Sequence, residues 1–280
     1  MTLPPLREVV ARHGIGARKS LGQHFLFDLN LTARIAREAG PLSGRTVIEI
    51  GPGPGGLTRA LLASEAAQVI AVEKDARCIA ALSELADAYP GRLHVIEGDA
   101  LEVNVASLGA APRVIVANLP YNISTVLLRG WLRVLGDIES MTLTFQKEVA
   151  DRLAAPPGGK DYGRMSILTQ WLCRVRPLFR VPAAAFTPPP KIDSAVVRFE
   201  PRPEPLAPAR KESLEKVTEA AFGQRRKMLR QSLKRLGIPP EELLAAVGIA
   251  PTERAENLTV EQFCALGRAY DAISGSRSAL

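Results

Sequence analysis

Short apolar segments alternate with helix-like segments through residues 45–145, and this alternation constrains the fold more than any other feature of the sequence. The apolar segments are rich in β-branched residues and are predicted to be strands at Thr46–Ile50, Gln68–Val72, Leu93–Glu97, Arg113–Ala117 and Met141–Phe145. The helix-like stretches between them are Gly56–Ala63, Ala76–Ala88 and Ser124–Val134. Strands that are apolar throughout and separated by helices are typical of a parallel sheet covered on both faces. We therefore predict an α/β fold.

Four prolines within eight residues interrupt the chain beyond this region. Pro201, Pro203, Pro205 and Pro208 cannot occupy a helix interior or a central strand. We predict a linker at residues 201–209, between a domain of residues 1–200 and a smaller all-helical domain of residues 210–280. The helices predicted after the linker are Arg210–Phe222, Arg225–Leu236, Pro240–Val247 and Val260–Tyr270. Before the linker, the pattern predicts a helix at Gly163–Arg174 and a late strand at the sheet edge, Ala195–Phe199.

Charge and cysteine usage narrow the functional classes. The 36 lysines and arginines exceed the 29 acidic residues, which gives a net charge of +7 and a pI near 9.6. Such a surplus favours an anionic partner, most often nucleic acid, although many cytosolic proteins carry it without one. The three cysteines and three histidines are too scattered for a metal knuckle, so no metal is expected. No apolar run has transmembrane length and no signal-peptide pattern is present, so we predict a cytoplasmic protein without a membrane partner.

A glycine-rich turn follows the first predicted strand and opens the first helix. Glycines at 51, 53, 55 and 56 let the backbone turn sharply and approach a ligand closely. Glu73 ends the next strand, 22 residues after Gly51, where a carboxylate can accept the hydroxyl hydrogens of a ribose. Glu49 gives the turn an acidic-x-Gly-x-Gly pattern, which favours a sulfonium nucleoside derived from methionine. Asp99 ends the third strand and can bind an adenine amino group. A nucleotide fold that holds NAD is the alternative.

A second motif, Asn118-Leu119-Pro120-Tyr121, follows the fourth strand, at the edge of the sheet where ligands bind in open α/β folds. An adenine amino group is a poor nucleophile because its lone pair is delocalised into the ring. The amide oxygen of Asn118 and the carbonyl of Leu119 can accept its two hydrogens and free that lone pair, while Tyr121 can stack on the base. A strand-to-helix turn with an asparagine cap is the simpler interpretation.

These motifs, with others in the same order, resemble the small-subunit ribosomal RNA adenine dimethyltransferases (the KsgA family). The remaining matching segments are Lys19-Ser20-Leu21-Gly22-Gln23-His24-Phe25-Leu26, Phe145-Gln146-Lys147-Glu148, Phe186-Thr187-Pro188-Pro189-Pro190-Lys191-Ile192-Asp193-Ser194 and Phe222-Gly223-Gln224-Arg225-Arg226-Lys227. The resemblance implies a Rossmann-like class I methyltransferase sheet with a smaller all-helical C-terminal domain. It also implies dimethylation, with S-adenosylmethionine as donor and S-adenosylhomocysteine as product, of two adjacent adenines in the 3′-terminal hairpin of 16S rRNA. The partner would be the immature small ribosomal subunit, and the role would lie in ribosome biogenesis.

Matching positions also imply the residues of the site. The cofactor would be held by His24, Leu26, Gly51, Gly53, Glu73, Asp99 and Asn118. Asn118 and Tyr121 would orient the target adenine, and Phe186 would stack on its other face. Position 24 is commonly asparagine in the family, so a buried or capping role is the alternative for His24.

A basic segment is predicted to bind the RNA. Its cations are Arg225, Arg226, Lys227, Arg230 and Lys234. On a continuous helix, Phe222, Leu229, Leu233 and Leu236 would share an apolar face and leave these cations to contact phosphates. A solvated surface face is the alternative.

Three other functions compete with this interpretation. A large-subunit rRNA methyltransferase of the erythromycin-resistance type shares the chemistry, but the segments beginning at Phe186 and Phe222 resemble the small-subunit branch. In a ribosome-assembly factor, binding would matter more than methylation, and the two roles can coexist. A nicotinamide dehydrogenase lacks a proton-transfer residue beside the fourth strand. We expect a monomer.

Overall fold

Nine strands and eleven α-helices are assigned in a computed structural model that describes residues 3–18 and 21–278, the last three by their backbone alone. The strands are β1 (Phe25–Leu26), β2 (Thr46–Ile50), β3 (Gln68–Glu73), β4 (Leu93–Glu97), β5 (Arg113–Asn118), β6 (Ile138–Gln146), β7 (Cys173–Val181), β8 (Phe186–Thr187) and β9 (Ser194–Pro201). The helices are α1 (Leu6–Arg12), α2 (Leu29–Glu38), α3 (Gly56–Leu62), α4 (Ala76–Ala88), α5 (Ser124–Trp131), α6 (Lys147–Ala154), α7 (Arg164–Leu172), α8 (Lys211–Phe222), α9 (Leu229–Ser232), α10 (Pro240–Ala245) and α11 (Val260–Ser278). Lys19 and Ser20, which begin one of the matching segments, lie outside the described residues.

Seven strands form one sheet in the order β4-β3-β2-β5-β6-β9-β7. The pairs from β4 through β6 are parallel, and β9 runs antiparallel to β6. The predicted α/β class and Rossmann-like sheet are therefore confirmed. Because β2, β3, β4 and β5 are parallel neighbours, their carboxyl ends meet at one edge of the sheet.

The outermost strand next to β9 differs from the prediction. Ala195–Phe199 was expected at the edge, but β9 lies between β6 and β7, and β7 is the terminal strand. The sequence pattern did not predict β7, because Arg174, Arg176 and Pro177 interrupt its apolar character. Charges and proline are typical of edge strands, where they discourage pairing with another chain.

Aliphatic side chains hold the sheet against its helices. Every residue of β2 is buried. Val47, Val69 and Val114 pack in one cluster with Leu61 of α3 and Leu82 of α4. Burial of each such side chain contributes about 1.5–3 kcal/mol, so this cluster fixes the strand ends that carry the polar motifs.

The chain divides into two compact units: Met1–Ala150 with Arg176–Pro201, and Asp151–Val175 with Arg202–Leu280. The prediction assigned residues 151–175 to the first domain. Their place in the second unit follows from packing, because Tyr162 and Trp171 share a core with Val217 of α8 and Phe263 of α11.

The proline-rich segment is bonded along α7. Its backbone N–H groups at Arg202 and Leu206 donate to the carbonyls of Leu172 and Trp171, each at 2.8 Å. The indole Nε1 of Trp171 donates in return to the carbonyl of Ala207 at 2.8 Å. These bonds fix the segment to the second unit, Asp151–Val175 with Arg202–Leu280, which we call the helical unit. Residues 202–210 nevertheless have no regular secondary structure.

The predicted helix Arg225–Leu236 is wrong. Residues 223–227 form turns, α9 covers only Leu229–Ser232, and a short 3₁₀ helix follows at Leu233–Leu236. Residue 228 is extended and bridges to residue 254, which separates the turn from α9. Leu229 and Leu233 are nevertheless buried in the core of this unit. The apolar spacing therefore predicted their burial correctly, but two short helical turns produce it rather than one long helix.

Within residues 3–18 and 21–278, no helix combines the length and apolarity needed to cross a bilayer.

Candidate active site

A pocket of about 950 Å³, measured with its open mouth, lies at the carboxyl edge of the parallel strands. The turn after β2, the ends of β3 and β4, the motif after β5 and the segment around β1 supply its walls. Its lining includes all the predicted cofactor-binding residues and both residues predicted to orient the base: His24, Leu26, Gly51, Gly53, Glu73, Asp99, Asn118 and Tyr121. The sheet topology thus brings together residues that are up to 97 positions apart in the sequence.

The glycine-rich turn needs its glycines for two different reasons. Gly53 has a φ of +57°, in the left-handed region that side chains rarely adopt. A Cβ at Gly56 would lie 2.4 Å from the carbonyl oxygen of Leu26. The first glycine permits the turn, and the second lets the helix start pack directly against β1.

Glu73 accepts three backbone hydrogen bonds at the pocket. One carboxylate oxygen accepts the N–H of Gly53 at 3.0 Å, and the other accepts the N–H groups of Lys74 and Asp75, both at 2.8 Å. Burial raises the pKa of Glu73, and these three bonds oppose the rise. A carboxylate has about four lone-pair positions, so Glu73 keeps accepting capacity for a hydroxyl group such as that of a ribose.

Asp99 closes another side of the pocket. Its carboxylate pairs with the ammonium group of Lys74 at 2.6 Å and accepts the N–H of Leu101 at 3.0 Å. The hydrogen bond from Lys74 is the main cause of the lowered pKa of Asp99. Asp99 is therefore held as a charged acceptor at the mouth of the pocket.

Glu49 is a site residue that the predicted cofactor set omitted. It lies on β2, is only 2% exposed, and lines the pocket. Its Oε2 atom is buried without a hydrogen-bond partner in the part of the chain that the structure describes. Burial raises the pKa of Glu49 to about 8. The unpartnered Oε2 is therefore available to a ligand, and the acidic-x-Gly-x-Gly pattern was the signal that pointed to this residue.

Asn118 presents an acceptor to the site. Its Nδ2 donates to the backbone carbonyl of His24 at 3.0 Å. That bond defines which end of the amide is which, and it leaves Oδ1 buried with no partner among the described residues. An amide oxygen in this state can accept a hydrogen from an amino group of a ligand.

Tyr121 is fixed on three sides. Its ring stacks on the imidazole of His24, with centroids 5.2 Å apart and planes inclined by 27°. Its hydroxyl group is 2.6 Å from Oγ of Ser194, a residue of β9 whose contribution the sequence analysis did not predict. The edge of Phe186 contacts it with a centroid distance of 6.4 Å and an interplanar angle of 72°. Burial raises the pKa of Tyr121, so the phenol stays neutral.

Phe186 has a different place from the one predicted. It is 2% exposed and belongs to β8, which pairs with β1 through Leu26. A base between two aromatic faces requires parallel rings about two stacking distances apart, whereas the Tyr121 and Phe186 rings are nearly perpendicular and in contact. In this arrangement Phe186 supports Tyr121 rather than facing it across a gap.

The predicted RNA-binding cations of the helical unit fall into two groups. Arg225 donates to the carboxylate of Glu256 at 3.1 Å and to the carbonyl of Gly159 at 3.0 Å, so it ties parts of its own unit together. The other four side chains are exposed: Arg226, Lys227, Arg230 and Lys234. We refer to these four exposed residues as the cationic surface.

Across residues 3–18 and 21–278, no group of three or more histidine, cysteine, aspartate or glutamate side chains is arranged to hold a metal ion.

Comparison with protein families matches residues 15–271 to the model of the ribosomal RNA adenine dimethylases. The chain belongs to this family. Two similar proteins are both named ribosomal RNA small subunit methyltransferase A. The one from Rhodospirillum rubrum is 66% identical and covers 96% of this chain and 93% of its own. The one from Paramagnetospirillum magneticum is also 66% identical and covers 99% of both chains.

Two solved structures are similar to this chain at lower sequence identity. A dimethyladenosine transferase from Plasmodium falciparum superposes with a TM-score of 0.78 at 26% identity and covers 92% of this chain and 99% of its own. The 23S rRNA methyltransferase ErmE superposes with a TM-score of 0.69 at 29% identity and covers 88% and 99%. The fold is therefore shared with an enzyme named for 23S rRNA, so the fold alone does not identify the substrate.

Proposed function

We propose that this protein transfers methyl groups from S-adenosylmethionine to the N6 amino groups of two adjacent adenines in the 3′-terminal hairpin of 16S rRNA. The vacant Oδ1 of Asn118, beside a pocket that fits a charged adenosine derivative, is the observation that carries the chemistry. The high identity to two relatives named for the small subunit favours 16S rRNA over 23S rRNA. We propose in addition that the protein acts in the cytoplasm, with a role in ribosome biogenesis.

The pocket fits S-adenosylmethionine on three observations. Glu73 keeps accepting capacity for ribose hydroxyls, and Asp99 offers an acceptor for the adenine amino group. The unpartnered Oε2 of Glu49 can contact a ligand that carries positive charge, and such a ligand would favour the ionised carboxylate. Gly51, Gly53 and Leu26 also line the pocket. The backbone carbonyl of His24 accepts the hydrogen bond that holds the side chain of Asn118 in place. When bound, the cofactor supplies a methyl group on a positively charged sulfur.

The residues of the chain then have to activate the amine. Oδ1 of Asn118 and the carbonyl of Leu119 accept the two hydrogens of the N6 amino group, which favours a pyramidal nitrogen with a directed lone pair. In each transfer a nitrogen–carbon bond would form as the carbon–sulfur bond of the donor breaks. The nitrogen would then lose one proton to water, and S-adenosylhomocysteine would be the second product. Since the donor is already activated, positioning supplies most of the rate, and no strong general base is needed.

The target base has to leave its stack to reach this pocket. Extrusion of a base costs a few kcal/mol, and stacking on an aromatic ring returns about 1–3 kcal/mol. We propose that the ring of Tyr121 supplies this stacking, and that Phe186 acts through its contact with Tyr121. The cationic surface of the helical unit would contact RNA phosphates, which predicts salt-sensitive binding.

Transfer of labelled methyl groups to small subunits that lack the modification tests this function. We expect dimethyladenosine at two adjacent positions of the 3′-terminal hairpin and no label in large subunits. Asn118→Ala should lose turnover while it retains subunit binding, which separates catalysis from a role in assembly. Label in large-subunit RNA, or full activity of the variant, would contradict the proposal.

A further inference from the structure

His24 makes contacts with three separate parts of the active site. Its Nδ1 lies 2.7 Å from the carbonyl oxygen of Pro188, which belongs to the segment that follows β8. Its ring stacks on Tyr121, and its backbone carbonyl accepts the hydrogen bond from Nδ2 of Asn118.

We propose that His24 is a positioning residue for methyl transfer, and that it joins the segment before β1 to the segment after β8 so that Asn118 and Tyr121 are held for the target adenine. This inference rests on the proposed function. The pairing of Phe25 with Thr187 and of Leu26 with Phe186 brings the two segments side by side. The hydrogen bond from His24 to Pro188 extends that pairing by one link, to the mouth of the pocket.

The position of the amide of Asn118 shows why this link matters for the chemistry. The oxygen and the NH₂ group of an amide have nearly the same size, so rotation of the side chain by half a turn exchanges an acceptor for a donor. A donor at that place would repel the amino hydrogens instead of accepting them. The bond from Nδ2 to the carbonyl of His24 selects the productive orientation, and it does so only while residue 24 stays in place.

The chemistry of the His24 contact fixes the tautomer of the ring. A carbonyl oxygen only accepts, so Nδ1 has to carry the hydrogen that it donates to Pro188. In the neutral ring, Nε2 is then an acceptor. This assignment gives a spectroscopic signature that does not depend on enzymatic activity.

Three variants of His24 separate its contacts. His24→Asn keeps an N–H donor of similar reach but removes the ring, and His24→Phe keeps the ring but removes the donor. His24→Ala removes both. We expect His24→Ala to lower kcat about tenfold or more, with a change of KM for S-adenosylmethionine within about twofold. The asparagine and phenylalanine variants should each recover part of the lost kcat. His94→Ala is the matched control, because His94 is an exposed histidine on β4 that does not line the pocket.

Two kinetic outcomes would overturn the proposal. A raised KM for S-adenosylmethionine with unchanged kcat would make His24 a direct cofactor contact. A lowered KM for the subunits with unchanged kcat would mean that the ring blocks the stacking face of Tyr121. Thermal unfolding of each variant shows whether the comparison concerns folded protein, and the asparagine variant serves if the alanine variant does not fold.

Nitrogen-15 NMR of the histidine rings provides the second readout. The His24→Asn spectrum assigns the His24 signals among the three histidines, and we expect the Nδ1–H tautomer in the neutral wild-type ring. An Nε2–H tautomer would refute the link to Pro188. If wild-type protein fails to methylate small subunits while this tautomer is observed, the proposed function fails and the structural link remains.

Discussion

Replacement of Glu49 by glutamine should make the protein more stable at alkaline pH. An ordinary glutamate has a pKa near 4.5, whereas burial raises the pKa of Glu49 to about 8. Glutamine has nearly the same shape as a protonated glutamate but cannot ionise. The variant therefore removes the cost of a buried charge while it preserves the packing.

The sign and size of the effect follow from proton linkage. Below pH 4.5 the carboxyl is protonated in both the folded and the unfolded chain, so it adds no pH dependence. Between 4.5 and about 8 the unfolded chain ionises first, and the free energy of unfolding of the wild type falls by about 1.4 kcal/mol per pH unit through this group. From pH 5 to pH 8, the stability of Glu49→Gln relative to wild type should therefore rise by about 4 kcal/mol.

Urea unfolding of the cofactor-free proteins, followed by circular dichroism at several pH values from 5 to 9, measures this difference. The relevant quantity is the gap between the two proteins, because titrating groups that do not interact with Glu49 contribute equally to both. The gap should widen with pH and become constant above about pH 8. A gap that does not change over this range would refute the argument that Glu49 is protonated in the folded protein.

Three further measurements test other contacts. The pKa of Asp75 is lowered to about 2, mainly by its hydrogen bond with Arg77. The stability that Asp75 provides is therefore present above the ordinary pKa of an aspartate and is lost as the pH falls towards 2. Asp75→Asn should be less stable than wild type at pH 6, and the difference in free energy of unfolding between the two proteins should close in acid. Arg225→Ala should lower the free energy of unfolding by about 1 kcal/mol because it loses two hydrogen bonds. Arg226→Ala should change the free energy of unfolding by less than about 0.5 kcal/mol and should instead reduce the salt dependence of subunit binding. Chemical denaturation measures the first effect, and binding titrations at several salt concentrations measure the second. Gly56→Ala should reduce thermal stability by several degrees, since its Cβ would meet a backbone oxygen at 2.4 Å, and an unchanged melting temperature would contradict that close approach.

Much of the sheet could be predicted because the sequences of its strands are continuous apolar runs rich in β-branched residues. The observed β2, β3 and β5 begin at the predicted residues and end within one residue of the prediction. The edge strand β7 escaped because its charges and proline are typical of a loop as well as of an edge. The helix expected at Arg225–Leu236 failed because a spacing of four and three residues fits two consecutive short turns as well as one long helix.

The site residues could be predicted by motif, but their states could not. The sequence places Asn118 at the end of a strand, yet only the contact with His24 shows which amide atom is free. It includes Phe186 in an aromatic pair, yet its edge-on orientation depends on the pairing of β8 with β1. Likewise, the protonation of Glu49 follows from burial, which no local pattern encodes.

The interrupted course of the helical unit has a consequence for biosynthesis. Asp151–Val175 emerges from the ribosome before Arg202–Leu280, and the apolar face of α7 then has no core to enter. Trp171 and its apolar neighbours therefore cannot be buried in their core until Arg202–Leu280 has been translated. For the same reason, a fragment cut at the proline-rich segment would lack the helix on which its own core is built, so the C-terminal part of this chain is not a detachable module.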